Sequence, residues 1–262
     1  MCSMANEITI LGSNGTKGAE GGTSAFWLDA HNVIDAGNLL RPMKEAVAEI
    51  ETIWLTHSHL DHIVDIAYIL DSYFSKRKKS LRLRGLPETL SAIKNHFLND
   101  IIWPDFSKIA LVGSDAMALV YEPIVLGVRY SLANGSTIAA FETDHTVVSC
   151  GYMVTKEKSS LIITADTYDL NVMIDLVHQT ESVTALVVEC SFPSHMGALA
   201  KVSRHLTPKL LFEALQPLEQ EQLKLYINHI KPLYEEIIRS EIEQYKGEWD
   251  VEILKDGKKI HF

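Results

Sequence analysis

The stretch "TIWLTHSHLDHIVD", residues 52–65, decides how this chain is read. An apolar run from Ile53 to Leu55 leads into His57, His59, Asp61 and His62. Residues two apart on a strand share a face, so His57 and His59 point the same way. Asp61 and His62 follow on the turn into a helix, where the chain swings them towards a second point. Imidazole and carboxylate are the usual donors to zinc and similar divalent ions. A lone histidine here would read as a core or surface residue. Several ionisable groups behind a buried strand are costly without a counter-charge, and a cation supplies one.

Three more candidates share the same placement. His145 lies in "TDHTVVSCGY", Asp166 in "LIITADT" and His229 in "LYINHIKP", each at or just past the end of an expected strand. Each alone has an ordinary alternative: Asp166, for example, suits a helix N-cap. Their common position at strand ends is what draws them towards one cleft.

The rest of the chain frames that cleft. Strands are expected at 7–12, on either side of a turn at His31-Asn32, and at 52–57, 80–85, 136–143, 149–155, 159–165, 185–190 and 223–229. Helical spacing covers 39–50, 63–79, 87–99, 169–180, 208–218 and 232–245. Residues 251–262 are expected to close as a hairpin with Asp256-Gly257 at its turn. A Gly-rich segment, "GSNGTKGAEGG", occupies 12–22, and 100–112 is aromatic and irregular. No Pro/Ser-rich linker divides the chain, so one α/β domain over residues 1–262, with two sheets covered by helices, is expected.

Composition narrows the function classes. The 262 residues are 47% hydrophobic, enough for a substantial core. A formal charge of −10 argues against binding long nucleic acid, which needs cationic surface. The cysteines, Cys2, Cys150 and Cys190, are too few and too scattered for a disulfide framework or a thiolate zinc site, and the latter two read as core thiols. The N-terminus has no signal-peptide pattern and no run is long enough to span a membrane. A cytoplasmic location without membrane contact is the expectation.

With these residues in view, "HSHLDH" resembles the HxHxDH signature of the metallo-β-lactamase superfamily. "DHTVVSCGY", "LIITADT", "ECSFPSHMGALAKVSRHLTPKLL", "NHIKP" and "HFLNDIIWPDF" are similar, more narrowly, to the class II cyclic-nucleotide phosphodiesterases, over residues 7 to 235. Two positions depart from that pattern: Asp65 where Gly or Ser is usual, and Ala165 where Gly precedes the aspartate.

The resemblance implies an αββα sandwich of two mixed sheets flanked by helices. It implies two divalent ions, with zinc suited best and manganese or iron also accommodated. His57, His59 and His145 would hold one ion, Asp61, His62 and His229 the other, and Asp166 would bridge them. The implied activity is hydrolysis of 3′,5′-cyclic nucleotides, cAMP or cGMP, to 5′-monophosphates by a hydroxide held between the ions. His205, in "SRHLTP", is implied as transition-state stabiliser or general acid, and Asp61 is grouped with it as catalytic. A helix-start role beside Thr207 is the plain alternative for His205. Asp144 would orient His145 or stand solvated, and His195 is expected at the surface. Trp103 and Phe106 could stack on a purine, although packing is the commoner fate of such aromatics. The partner implied is a small cyclic nucleotide, with a homodimer compatible. Competing readings are a tRNA 3′-processing nuclease, another hydrolase of the superfamily, and a non-catalytic nucleotide sensor.

Overall fold

The ends of the strands carry the candidate ligands, so strand order determines what meets. In the computed structural model, which describes residues 6–219 and 223–262, two seven-stranded sheets are formed. Cys2 lies outside the described residues. The first sheet contains β1 (Glu7–Gly12), β2 (Ala25–Asp29), β3 (Asn32–Ile34), β4 (Thr52–Trp54), β5 (Leu81–Gly85) and β6 (Leu119–Pro123). The second contains β7 (Arg129–Ser131), β8 (Thr137–Thr143), β9 (Ser149–Lys156), β10 (Ser159–Ile163), β11 (Val183–Glu189), β12 (Lys224–Asn228) and β13 (Val251–Ile253). The last strand, β14 (Lys259–His261), returns to the first sheet beside β1. The orders are β14-β1-β2-β3-β4-β5-β6 and β13-β12-β11-β10-β9-β8-β7.

Each sheet is mixed in the same way. The strands β14, β1, β2 and β3 pair antiparallel, then β3 to β6 run parallel. In the second sheet β7 to β10 are antiparallel and β10 to β13 parallel. Parallel neighbours need crossovers, and helices supply most of them. These are α1 (Leu40–Met43), α2 (Leu60–Ser72), α3 (Pro87–His96), α4 (Asn171–Gln179), α5 (Gly197–Ser203), α6 (Pro208–Ala214) and α7 (Glu235–Tyr245).

The period of two along the central strands builds the layers. Ile53 and Leu83 face a core shared with Ile66 and Leu70 of α2 and Ile93 of α3. Leu186, Leu225 and Ile227 face a second core with Leu211 of α6 and Ile238 of α7. Between the sheets Trp54, Ala185, Val187 and Tyr226 meet Phe26, Ile34 and Tyr152. The result is the αββα sandwich expected from the sequence. Inter-sheet bonds also reach the histidine stretch: the Tyr152 hydroxyl donates to the Leu55 carbonyl at 2.7 Å, and the Cys150 N–H to the Thr56 carbonyl at 3.1 Å. Cys150 and Cys190 are buried free thiols, as expected.

The C-terminal hairpin is not formed. β13 pairs with β12 and β14 with β1, so the Asp256-Gly257 turn carries the chain from one sheet to the other. The Asp-Gly pair does specify a turn, with Gly257 at φ +83°. It does not specify what flanks it, and each short strand covers the open edge of a larger sheet. The expected helix over 39–50 is also interrupted, with α1 ending at Met43 and tighter 3₁₀ turns over Lys44–Glu49. Lys44 at φ +50° breaks the helical path there.

Candidate metal centre

The parallel halves of both sheets bring their carboxyl ends to one cleft, the usual place for a site in an α/β fold. His57, His59, His145 and Asp166 each offer a donor atom within a group spanning no more than 4.8 Å. Asp61, His62 and His229 form a second such group, and Asp166, His205 and His229 a third. The seven expected ligands and His205 therefore lie together.

Asp166 faces the first two donor groups with different oxygens. Its Oδ2 lies 3.6 Å from His57 Nε2 and 3.8 Å from His145 Nε2. Its Oδ1 lies 3.1 Å from His229 Nε2 and 3.5 Å from His62 Nε2. Asp61 Oδ2 is 3.5 Å from His229 Nε2 and 3.9 Å from His62 Nε2.

The imidazoles are fixed from behind. His62 Nδ1 donates to Asp35 Oδ2 at 2.7 Å, and the Thr56 hydroxyl donates to the same carboxylate at 2.8 Å. His145 Nδ1 donates to the Arg204 carbonyl at 3.0 Å. His229 Nδ1 meets the Ser191 hydroxyl at 3.0 Å, and His57 Nδ1 meets Thr56 Oγ1 at 3.1 Å. Each of these rings is left with Nε2 towards the cleft. A ligand histidine is ordinarily held this way by its other nitrogen.

The donor set fits divalent metal ions. His57 Nε2 and Asp166 Oδ1 are buried and make no hydrogen bond. His59 Nδ1 and His145 Nε2 approach to 3.2 Å, and His62 Nε2 and His229 Nε2 to 3.3 Å. A divalent cation would take up the lone pairs that converge there. Burial pushes His57 well below the ordinary imidazole value, and His59 and His145 below it, which keeps their lone pairs available. Burial opposes ionisation of Asp61 and Asp166, but the surrounding histidines outweigh it and hold both carboxyls far below the usual range.

Sequence reasoning missed the supports. Asp35, Glu189 and Ser191 are all buried. Glu189 Oε1 accepts from His205 Nδ1 at 2.7 Å and from the Thr167 N–H at 3.1 Å, while Oε2 accepts from the Ser191 hydroxyl at 3.0 Å. Burial works against the charged form of His205, but the Glu189 carboxylate outweighs it and raises the imidazole above its ordinary value. Asp35 and Glu189 close apolar strands in "NVID" and "ALVVE", the same signal that marked Asp166.

Other expectations resolve simply. Asp144 pairs with Arg204 at 2.7 Å, and its neighbour His145 takes the Arg204 carbonyl instead. His195 is exposed. Phe106 is buried against Phe74, and Trp103 packs edge-on to Tyr68 at 5.4 Å, so both serve as packing. Asp65 reaches back from α2 to accept the N–H groups of Leu39 and Leu40 at 2.7 and 3.0 Å. Burial raises its carboxyl. Ala165 occupies φ +56°, the conformation that glycine adopts at no steric cost.

The model of the class-II cAMP phosphodiesterases matches residues 24–238. The chain belongs to this family. The 3′,5′-cyclic-nucleotide phosphodiesterase 1 of Saccharomyces cerevisiae is 32% identical over 74 residues, which cover 28% of this chain and 20% of that protein. The match thus spans about a fifth of the curated relative. Among solved structures, unliganded yeast PDE1 superposes with a TM-score of 0.81 at 20% identity, covering 99% of this chain and 100% of that one. The metallo-β-lactamase fold protein YhfI of Bacillus subtilis gives 0.72 at 18%, covering 98% and 99%. The short form of human tRNase Z gives 0.68 at 19%, covering 97% and 98%. These likenesses establish the metallo-β-lactamase fold of this class-II member. Among the described residues, no helix is long and apolar enough to cross a membrane.

Proposed function

We propose that this class-II family member hydrolyses 3′,5′-cyclic nucleotides to 5′-monophosphates with two divalent ions, zinc by preference. The observation that carries the reading is Asp166, whose two oxygens face two different groups of imidazole nitrogens. His57, His59 and His145 would hold one ion, Asp61, His62 and His229 the other, with Asp166 shared between them. Nitrogen and oxygen donors in this mixture suit zinc, and manganese or iron tolerates them.

When bound, two divalent ions supply Lewis acidity at a phosphoryl oxygen and a nucleophile at neutral pH. The residues of the chain do the rest. Glu189 Oε1 accepts a 2.7 Å hydrogen bond from His205 Nδ1–H, so Nε2 is the nitrogen left to serve the substrate. With Glu189 favouring the imidazolium, Nε2 carries a proton that can pass to the departing ribose 3′-oxygen. Attack at phosphorus in line with that oxygen opens the cyclic diester and leaves the phosphate on the 5′-oxygen. Asp61, as a ligand on the rim of the second group, keeps that group open to substrate, being the least buried of its three members.

The test is a hydrolysis screen of the metal-loaded protein on cAMP, cGMP and precursor tRNA, with the product phosphate located by phosphorus NMR. The proposal expects 5′-monophosphates from one or both cyclic nucleotides, lost on chelation and restored by zinc or manganese. Cleavage of precursor tRNA with both cyclic nucleotides intact would replace it by the nuclease reading. Tight binding of a cyclic nucleotide without turnover would replace it by the sensor reading.

A further inference from the structure

The Gly-rich loop after β1 supplies no ligand, yet it is bonded to one. The Ser13 carbonyl accepts the His229 N–H at 2.8 Å, and the Gly15 N–H donates to the Ile230 carbonyl at 3.0 Å. Lys231 Nζ donates to the Gly15 carbonyl at 2.9 Å. His229 needs such support because it stands at φ +63°, a conformation disfavoured for any residue with a Cβ. Packing is tight at this point: a Cβ on Gly15 would lie 2.2 Å from the His229 carbonyl oxygen and 2.7 Å from its Nδ1.

One carboxylate closes the loop at both ends. Asp256 Oδ1 accepts the Ser13 N–H at 3.0 Å and the Ser13 hydroxyl at 3.1 Å. Its Oδ2 accepts the Gly22 N–H at 2.7 Å. Bonds to an ionised acceptor are the stronger kind, and here one side chain makes three of them. Residues 16, 17 and 19–21 between the two anchors are exposed. The Asn14 N–H to the Gly22 carbonyl at 2.9 Å and Asn14 Nδ2 to the Glu20 carbonyl at 3.1 Å also tie the segment, but neither holds Ser13, which Asp256 fixes from outside the loop. None of the loop's hydrogen bonds described above reaches His57, His59 or His145, which come from the ends of other strands.

We propose that Asp256 is a positioning residue for the second ligand group, fixing Ser13 and, through Ser13 and Gly15, the backbone and ring of His229. The inference rests on the reading of His229 as a metal ligand. Its effect is selective: losing the clamp loosens the ion held by Asp61, His62 and His229 and spares the other.

The test is calorimetric titration of Zn²⁺ into the metal-free full chain. Asp256→Ala should weaken one equivalent about tenfold or more, in the range seen when supports behind a ligand are removed, with the other unchanged. Asp256→Asn keeps an acceptor oxygen and should fall between. Gly15→Ala attacks the same contact by an independent route and should weaken the same equivalent. Lys258→Ala, which removes the ion pair beside this turn to Glu252 without touching the loop, should leave both unchanged. Wild-type affinity for both equivalents in Asp256→Ala and Gly15→Ala, or equal weakening of both, would overturn the proposal. His229→Ala should lose one equivalent outright. If it keeps both, the ligand assignment fails rather than the clamp.

Discussion

The two proposed ligand groups share Asp166 but are held in different ways. In the group of His57, His59 and His145, the backing is neutral: the Thr56 hydroxyl for His57 and the Arg204 carbonyl for His145. Their basicity is set by burial, which lowers all three. His62 is backed by the Asp35 carboxylate, and that charge with Asp166 outweighs burial and raises it well above its ordinary value. His229 depends on Ser191 and on a loop tied to the far end of the chain. The contrast teaches that one group is built from strand ends already fixed by inter-sheet bonds, while the other needs a buried charge and a tethered loop.

That contrast can be broken from several directions. The largest effect should come from His205, which stands beside Asp166 and His229 without being assigned to an ion. His205→Ala should lower kcat by about 10²- to 10⁴-fold with metal content unchanged. Steady-state kinetics with metal analysis checks this, and loss of metal in parallel would make His205 a ligand. Next comes Asp35. Asp35→Ala removes the carboxylate that accepts from His62 Nδ1 and leaves that buried ring facing Asp166 and Asp61 alone, so stability should fall by about 3 kcal/mol. Zinc affinity of one equivalent should weaken about 10- to 100-fold. Denaturant unfolding and zinc titration measure the two effects, and Thr56→Val, which removes a hydroxyl shared by Asp35 and His57, should cost less stability and weaken both equivalents.

The pH dependence of the metal-free protein separates the groups by sign. His57, His59 and His145 have folded values below the ordinary 6.5, so below that pH the unfolded chain binds protons the folded one refuses. Their contribution falls as pH drops through 6.5 towards the folded values. His62 and His205 have raised folded values, so their contribution is complete below 6.5 and is lost as pH rises through the folded values. Stability should therefore peak near pH 6.5 and decline on both sides. In His205→Gln the alkaline decline should shrink and the acid one persist, as followed by unfolding midpoints across pH. The smallest effect is expected at Ala165, held at φ +56° beside Asp166. Ala165→Gly trades relief of the left-handed penalty against added chain entropy, a net gain of about 0.5 kcal/mol. A thermal melt reads it.

Much of the site was legible because strand ends announce themselves. "TIWLTHSHLDH", "LIITAD" and "LYINH" each show an apolar run closing on a donor, and all three converge as that pattern implies. Asp35 and Glu189 show the same pattern, but a single acid after a strand is common and its partner lies far off in sequence, so the pattern alone does not mark them as supports. Asp65 stands out in the sequence only as a departure from the family pattern; its role is to tie α2 to the Leu39 and Leu40 amides, a contact no local spacing reveals. The strand β6 reads weakly because "LVYEP" ends in a proline, and β7 is three residues long. The C-terminal turn failed in the most instructive way. Asp256-Gly257 specified the bend, while open edges on two sheets decided where each arm went.

The most direct measurement is anomalous diffraction at the zinc edge from crystals of the metal-loaded protein. The account predicts two peaks, one among His57, His59 and His145, the other among Asp61, His62 and His229, with Asp166 reaching both. A single peak, or a second peak away from Asp166, would contradict it.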